Sequence, residues 1–279
     1  MTKGVLLIAQ NNEEIDYIKQ AAFLSRRVKQ YLDLPTSIIT DDIDYIKENN
    51  LENNFDKIIS PTSKAPYTSK SYKDGVFEQK TLSFKNADRA FAYDLTPYDE
   101  TLLIDTDLVV TDSVFAHCFE QSHNLMMYSS NAVELSGWRN LSEFDFISDT
   151  GPNFYWATAV FFRKSSQAEI FFNLVKHIQE NWGHYKTVYQ LMGNAYRNDF
   201  SFSIAAHMLN GFQPGDFVKQ MPGTLYYSLD KDELIELKDD SFLFLVEKKD
   251  QSNLFPVRIK GKTVHVMNKY SLERIINGN

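Results

Sequence analysis

The sequence predicts an α/β fold, with a mostly parallel central sheet flanked by helices, and three observations predict it. Short apolar runs alternate with helix-length amphipathic stretches through the opening of the chain. A further apolar run, Thr101 to Ile104, ends directly on an acidic pair. Hydrophobic residues fill 43% of the 279 positions, with 21 Phe and 15 Tyr, enough to bury a sizeable core.

Gly4 to Ala9 (GVLLIA) has no helical period and ends in Gln10-Asn11-Asn12, so it reads as a buried strand. From Glu13 to Tyr31 the apolar positions Ile15, Ile18, Ala22, Val28 and Tyr31 recur at helical steps, and Leu34-Pro35 stops the pattern. Ser37 to Thr40 is a second strand, followed at once by Asp41 and Asp42. Another helical stretch leads to the strand Lys57 to Ser60, closed by Pro61. This β-α-β-α-β order argues for parallel pairing, with a ligand site at the carboxyl ends of the strands. Asn11, Asn12, Asp41 and Asp42 stand there; strand-end capping explains them nearly as well.

Residues 61–77, rich in Ser, Thr, Lys, Pro and Tyr, read as a long loop, and a helix is expected from about Glu78 to Leu95. Farther on, Phe154 to Arg163 reads as a strand, Gln167 to Trp182 as an amphipathic helix and Phe200 to Leu209 as a shorter helix. Short strands, among them Phe242 to Val246 and Thr263 to Met267, precede a last helix near Ser271 to Ile276. No repeat, low-complexity tract or linker divides residues 1–279, so a single domain is expected.

The formal charge of −8 disfavours a broad grip on nucleic acid or on an anionic membrane. A doubly anionic ligand on so acidic a chain needs a counterion, which a divalent metal supplies. No run reaches the roughly 20 apolar residues of a membrane span, and the amino terminus turns polar too soon for a signal peptide, so neither is expected. The single cysteine, Cys118, fits a reducing compartment such as the cytoplasm and reads as a buried helix residue in SVFAHCFE.

Asp105-Thr106-Asp107 follows the apolar strand in TLLIDTDLVV. In an extended segment residues i and i+2 face one side, so two carboxylates at this spacing converge on one hard cation. Asp42/Asp44 and Asp230/Asp232 share the spacing but lie in polar helix or turn sequence. Ordinary cap or turn aspartates are the competing reading of 105–107.

TPYDETLLIDTDLVV resembles the DxD segment of GT-A glycosyltransferases, in particular the glycogenin and lipopolysaccharide galactosyltransferase group. Lys85 and Arg89 in FKNADRAFAYDL stand where that group keeps a cation facing the nucleotide. YWATAVFF, Tyr155 to Phe162, is similar to its strand after the DxD, with Ala157 and Ala159 replacing the usual Asn and Gly. Asn198-Asp199-Phe200-Ser201 resembles its acidic residue before a helix. VHVMNKYSL resembles its terminal metal and diphosphate segment, without the Gly and Pro-Trp.

The resemblance runs in order over roughly residues 4–270 and is most specific at the DxD. It implies a GT-A fold and Mn²⁺ or Mg²⁺ held by Asp105, Asp107 and His265. It further implies a nucleoside diphosphate sugar donor bound by Asn11, Asp41, Lys85, Arg89, Asp105, Thr106 and Lys269. Asp199, near the sugar or acceptor, and Lys269, on the diphosphate, are the implied catalytic groups. Residues up to about 110 would form a nucleotide-binding half and those from about 111 an acceptor-binding half, with sugar transfer retaining configuration. The acceptor, whether glycan, protein, lipid or modified nucleobase, is not readable.

The chemistry explains the residue types. Cleaving the bond from a sugar to a diphosphate puts charge on the leaving phosphate, which a bound cation and Lys269 would neutralise. An imidazole ligand tilts the choice toward Mn²⁺. Plainer readings compete: Asp199 as a helix N-cap, His265 as a strand histidine, and Asn153 to Trp156 as core rather than a sugar platform. His117, His123, His177, His184 and His207 show no shared ligand spacing and read as structural.

Two rival functions share these residues. LLIDTDLVV also fits the haloacid dehalogenase phosphatase pattern, with Asp105 as nucleophile and Asp107 as acid/base. That motif normally opens its domain and is followed by a second acidic motif, which Gly215-Asp216 does not supply. The other rival is a non-catalytic module that binds a sugar nucleotide or glycan.

Overall fold

A computed structural model describes residues 1–61, 68–85, 87–137, 139, 144–148, 151–192, 196–248 and 251–278. β1 (Lys3–Ile8), α1 (Tyr17–Leu32), β2 (Thr36–Ile39), α2 (Ile43–Glu48) and β3 (Ile58–Ile59) form the expected β-α-β-α-β opening. α1 begins at Asp16, whose carboxylate accepts the Lys19 N–H at 2.9 Å, and it buries Ile18, Ala21, Leu24 and Val28 against β1 and β2.

The next stretch corrects the sequence reading. β4 (Thr68–Asp74) and β5 (Glu78–Phe84) pair antiparallel as a hairpin, where a loop over 61–77 and a helix from Glu78 were expected. Residues 62–67 of that loop lie outside the described residues. The physical reason is the turn that opens after Asp74 with Gly75 at φ 70° and continues through Val76 and Phe77, between strands whose few apolar residues, Tyr72, Leu82 and Phe84, fall on one face. Tyr72 and Leu82 are buried while Ser71 and Thr81 face outward. Of the expected helix, a 3₁₀ turn (Ala87–Phe91) and the short α3 (Ala92–Leu95) remain.

β6 (Glu100–Ile104), β7 (Leu108–Val109), α4 (Ala116–Glu120), β8 (Leu125–Tyr128), β9 (Ala132–Glu134) and β10 (Trp156–Arg163) follow. Then come α5 (Ser166–Glu180), α6 (Trp182–Val188), α7 (Asn198–Leu209), β11 (Lys219–Gln220) and β12 (Leu225–Tyr227). β13 (Glu233–Lys238), β14 (Ser241–Lys248), β15 (Gln251–Lys260), β16 (Val264–His265) and α8 (Lys269–Ile276) complete the order.

The central sheet runs β11-β8-β10-β6-β1-β2-β3, and β10 alone opposes its neighbours, so the sheet is mostly parallel as expected. β7, β16, β12 and β9 form a second sheet beside it. The antiparallel β13-β14-β15 sheet closes over a separate core of Phe242, Phe244, Val246 and Leu272.

The aromatic composition has a packing explanation. Phe161, Phe162, Phe171, Phe172 and Phe202 are fully buried, with Phe162 edge-on to Phe172 at 4.8 Å between centroids. Each such side chain contributes about 1.5–3 kcal/mol by leaving water. Phe154, Tyr155 and Trp156 are buried too, so the segment from Asn153 serves the core and not a sugar platform.

Candidate functional site

Strand register sets the stage. Leu7 lies opposite Ile104 and Ile8 opposite Ile39, so residues 9–11, 40–41 and 105 leave the sheet at one edge. Asp105 donates its N–H to the Thr158 carbonyl at 2.9 Å, and its own carbonyl accepts the Leu108 N–H at 3.2 Å. The chain therefore makes a tight turn through 105–108, where an extended segment was expected. The turn still gathers the two carboxylates.

His265 arrives by a β ladder. β16 pairs antiparallel with β7, placing His265 opposite Leu108, and Val266 donates its N–H to the Asp107 carbonyl at 2.9 Å. One oxygen of each aspartate and one ring nitrogen of His265 lie within 4.8 Å of one another. Two hard oxygens and one imidazole nitrogen are a donor set that suits a divalent cation.

Cations of the chain surround the pair. Arg89, 5% exposed, donates to Asp105 at 2.7 Å, while Lys269 Nζ lies 2.6 Å from Asp107 Oδ2 and His265 Nε2 lies 3.3 Å from the same oxygen. Lys269 is the first residue of α8, aimed by the cap in which Asn268 accepts the Ser271 N–H at 2.9 Å. Burial pushes the Asp107 carboxyl up, but Lys269 and then His265 outweigh it and hold it far below the usual carboxylate range. For Asp105 burial wins, raising its pKa against the pull of Arg89. Asp107 is thus a standing anion, and Asp105 is the partner that takes a proton first.

Buried donors remain unspent. Among the described residues Arg89 Nε and Nη2 find no acceptor and His265 Nδ1 has no partner. Buried polar groups are normally satisfied, so the two Arg89 N–H groups are donors still able to serve an acceptor.

The other expected residues separate into two groups. Asp199, in the first turn of α7, accepts the Ala157 N–H at 3.0 Å and Arg197 at 3.1 Å, and its charge is felt at Asp105. α7 is capped by Arg197, so Asp199 is not the N-cap. Thr106 is buried between Asp105 and Asp107. Asn11 and Asp41 do stand at the strand ends, but the chain engages them. Asn11 accepts the Ile18 N–H at 3.0 Å, and Asp41 pairs with Lys85 at 2.9 Å. Asn12 accepts the Ile15 N–H in the turn before α1, and Asp42 caps α2 by accepting the Tyr45 N–H. His117 pairs with Glu120 at the surface, away from any ligand cluster.

Sequence reasoning missed Lys70 and Arg197. Lys70 sits on the unforeseen hairpin with Lys269, Arg197, Asp107 and Asp199 as its electrostatic neighbours. The Asp74-Gly75 pair, between the sparse apolar residues Tyr72, Leu82 and Phe84, was the signal that would have found the strand carrying it.

Among the described residues no helix is long and apolar enough to cross a membrane. No protein-family model matches the chain, and no curated protein matches it. Solved structures do. The chain is similar to the glycosyltransferase GlyE of Streptococcus pneumoniae TIGR4, with 16% identity and a TM-score of 0.43 over 82% of this chain and 45% of that one. It is similar to a galactosyltransferase, LgtC, in complex with donor and acceptor sugar analogues, at 11% identity and a TM-score of 0.44, over 73% of this chain and 70% of that one. Mouse xyloside xylosyltransferase 1 is similar at 9% identity and a TM-score of 0.43, over 76% of this chain and 83% of that one. The chain thus spans less than half the length of GlyE.

Proposed function

We propose that this protein is a metal-dependent glycosyltransferase that moves a sugar from a nucleoside diphosphate sugar to an acceptor, with retention of configuration. The observation that carries the reading is the convergence of Asp105, Asp107 and His265 beside Arg89 and Lys269 at the carboxyl edge of the sheet. Residues up to about 110 form a nucleotide-binding half and those from about 111 an acceptor-binding half, which also lends His265 and Lys269 to the metal and diphosphate.

A divalent cation held by Asp105, Asp107 and His265, Mn²⁺ by preference for imidazole, would neutralise charge growing on a leaving diphosphate. The chain's own groups do the rest. Asp107 stays ionised as a ligand, Lys269 supplies a point charge within reach of the same phosphates, and the spare Arg89 N–H groups donate to donor oxygens. Asp199 is fixed by the Ala157 amide, which leaves its carboxylate oriented for the sugar or the acceptor.

A phosphatase of the haloacid dehalogenase type fits poorly. Its second aspartate must lend a proton, whereas Asp107 is held far below the range in which a carboxylate carries one at neutral pH. The test is release of nucleoside diphosphate from a panel of sugar nucleotides with Mn²⁺ present. Turnover is expected, falling about 10²–10³-fold in Asp107→Asn, as when one charge-stabilising group is removed. Phosphomonoester hydrolysis without sugar-nucleotide turnover would contradict the proposal.

A further inference from the structure

The β4–β5 hairpin has two unlike faces. Ser69, Ser71, Gln79, Thr81 and Ser83 lie on one, and Lys70, Tyr72, Lys80, Leu82 and Phe84 on the other, because paired residues share a face. The second face is seated on the protein by Tyr72 and Leu82, packed with Ile15, Tyr17 and Tyr270. Its charges are tied down as well: Asp74 meets Arg274 at 2.6 Å and Lys80 meets Glu14 at 2.9 Å.

Lys70, like Glu78, has no such tie among the described residues. It forms no salt bridge among the described residues, and its ammonium rests 5.1 Å from the Phe84 ring centre and 5.5 Å from that of Tyr72. Its charged neighbours are Lys269, Arg197, Asp107 and Asp199. Desolvation and then repulsion from Lys269 and Arg197 lower its pKa. The residue's surface is nonetheless open to water, as expected of a group crowded by protein at the rim of a crevice. Arg89, Lys269, Lys70 and Arg197 outnumber Asp105, Asp107 and Asp199 by one charge before any metal binds, an excess that matches a polyanion.

We propose that Lys70 is a further substrate-binding residue, delivered by the β4–β5 hairpin, that contacts the diphosphate of the donor across the mouth of the site. The inference rests on the transferase reading of Asp105, Asp107 and His265. Among the described residues Lys70 rests on two aromatic rings without a salt bridge; a phosphate oxygen would give it an anionic partner.

The test measures binding of inorganic pyrophosphate with Mn²⁺ by calorimetry in wild type, Lys70→Met, Lys70→Arg, Lys73→Met and Asp107→Asn. Lys73 lies on the opposite face of the hairpin and controls for net charge. Lys70→Met is expected to bind about tenfold more weakly, Lys70→Arg within about threefold of wild type, and Lys73→Met like wild type. The loss should persist in about 0.5 M KCl, where a field acting through water is screened. Mn²⁺ alone should bind Lys70→Met at least as well as wild type, which reports an intact fold and site. Wild-type affinity in Lys70→Met, or a loss that disappears in high salt, overturns the role of Lys70 and leaves the metal site standing. Failure of the wild type to bind pyrophosphate, or undiminished binding by Asp107→Asn, overturns the transferase reading itself.

Discussion

A carboxylate that stays charged inside a protein needs cations at hand, and Asp107 has Lys269 and His265 on one oxygen. Asp105 shares one guanidinium, and burial raises its pKa. The two aspartates therefore begin from different protonation behaviour although they stand two residues apart. Cys118 shows the opposite extreme, a group the environment silences. It is fully buried, and desolvation pushes its thiol up to about 12. Native protein should therefore resist iodoacetamide at about pH 8 and be labelled only after unfolding, as read by intact mass; rapid native labelling would place Cys118 at the surface. Aspartates at a strand end and a buried cysteine were legible because local pattern dictates them. Lys70 was not, since nothing in its own neighbours along the chain reveals which distant charges it will face.

Elements were legible where one period dominates. α1 and the strand ending on Asp105 came out as read, because helical spacing and a continuous apolar run are unambiguous. The β4–β5 hairpin was hidden by its composition: only Tyr72, Leu82 and Phe84 interrupt the polar residues of its strands, and its turn opens on the single pair Asp74-Gly75. The link between β9 and the turn before β13 was hidden too. Arg139 donates to both oxygens of Asp232 at 2.8 and 2.7 Å and also bonds Glu134, with all three side chains at most 3% exposed. Burial raises the Asp232 pKa, with Arg139 opposing it. Arg139→Met would strand two buried carboxylates and should cost about 3–5 kcal/mol in urea unfolding. A loss under about 1 kcal/mol would mean that water already reaches the triad.

At the scale of the molecule, a chain of net charge −8 gathers Arg89, Lys269, Lys70 and Arg197 around one edge of its sheet. That gathering joins four parts of the sequence: the hairpin, the 3₁₀ turn that carries Arg89, the residue before α7 and the first residue of α8. The mostly parallel sheet was readable from alternating strands and helices. The meeting of His265 with Asp107 was not derivable from periodicity, because it depends on the long-range β7–β16 ladder. The resemblance of the terminal segment alone pointed to it. The most direct measurement is a crystal grown with Mn²⁺ and a nucleoside diphosphate, using the anomalous signal of manganese. A single peak bound by Asp105, Asp107 and His265, with the diphosphate facing Lys269, is the expected result. A peak elsewhere, or a diphosphate seated without metal at those three side chains, would contradict the account.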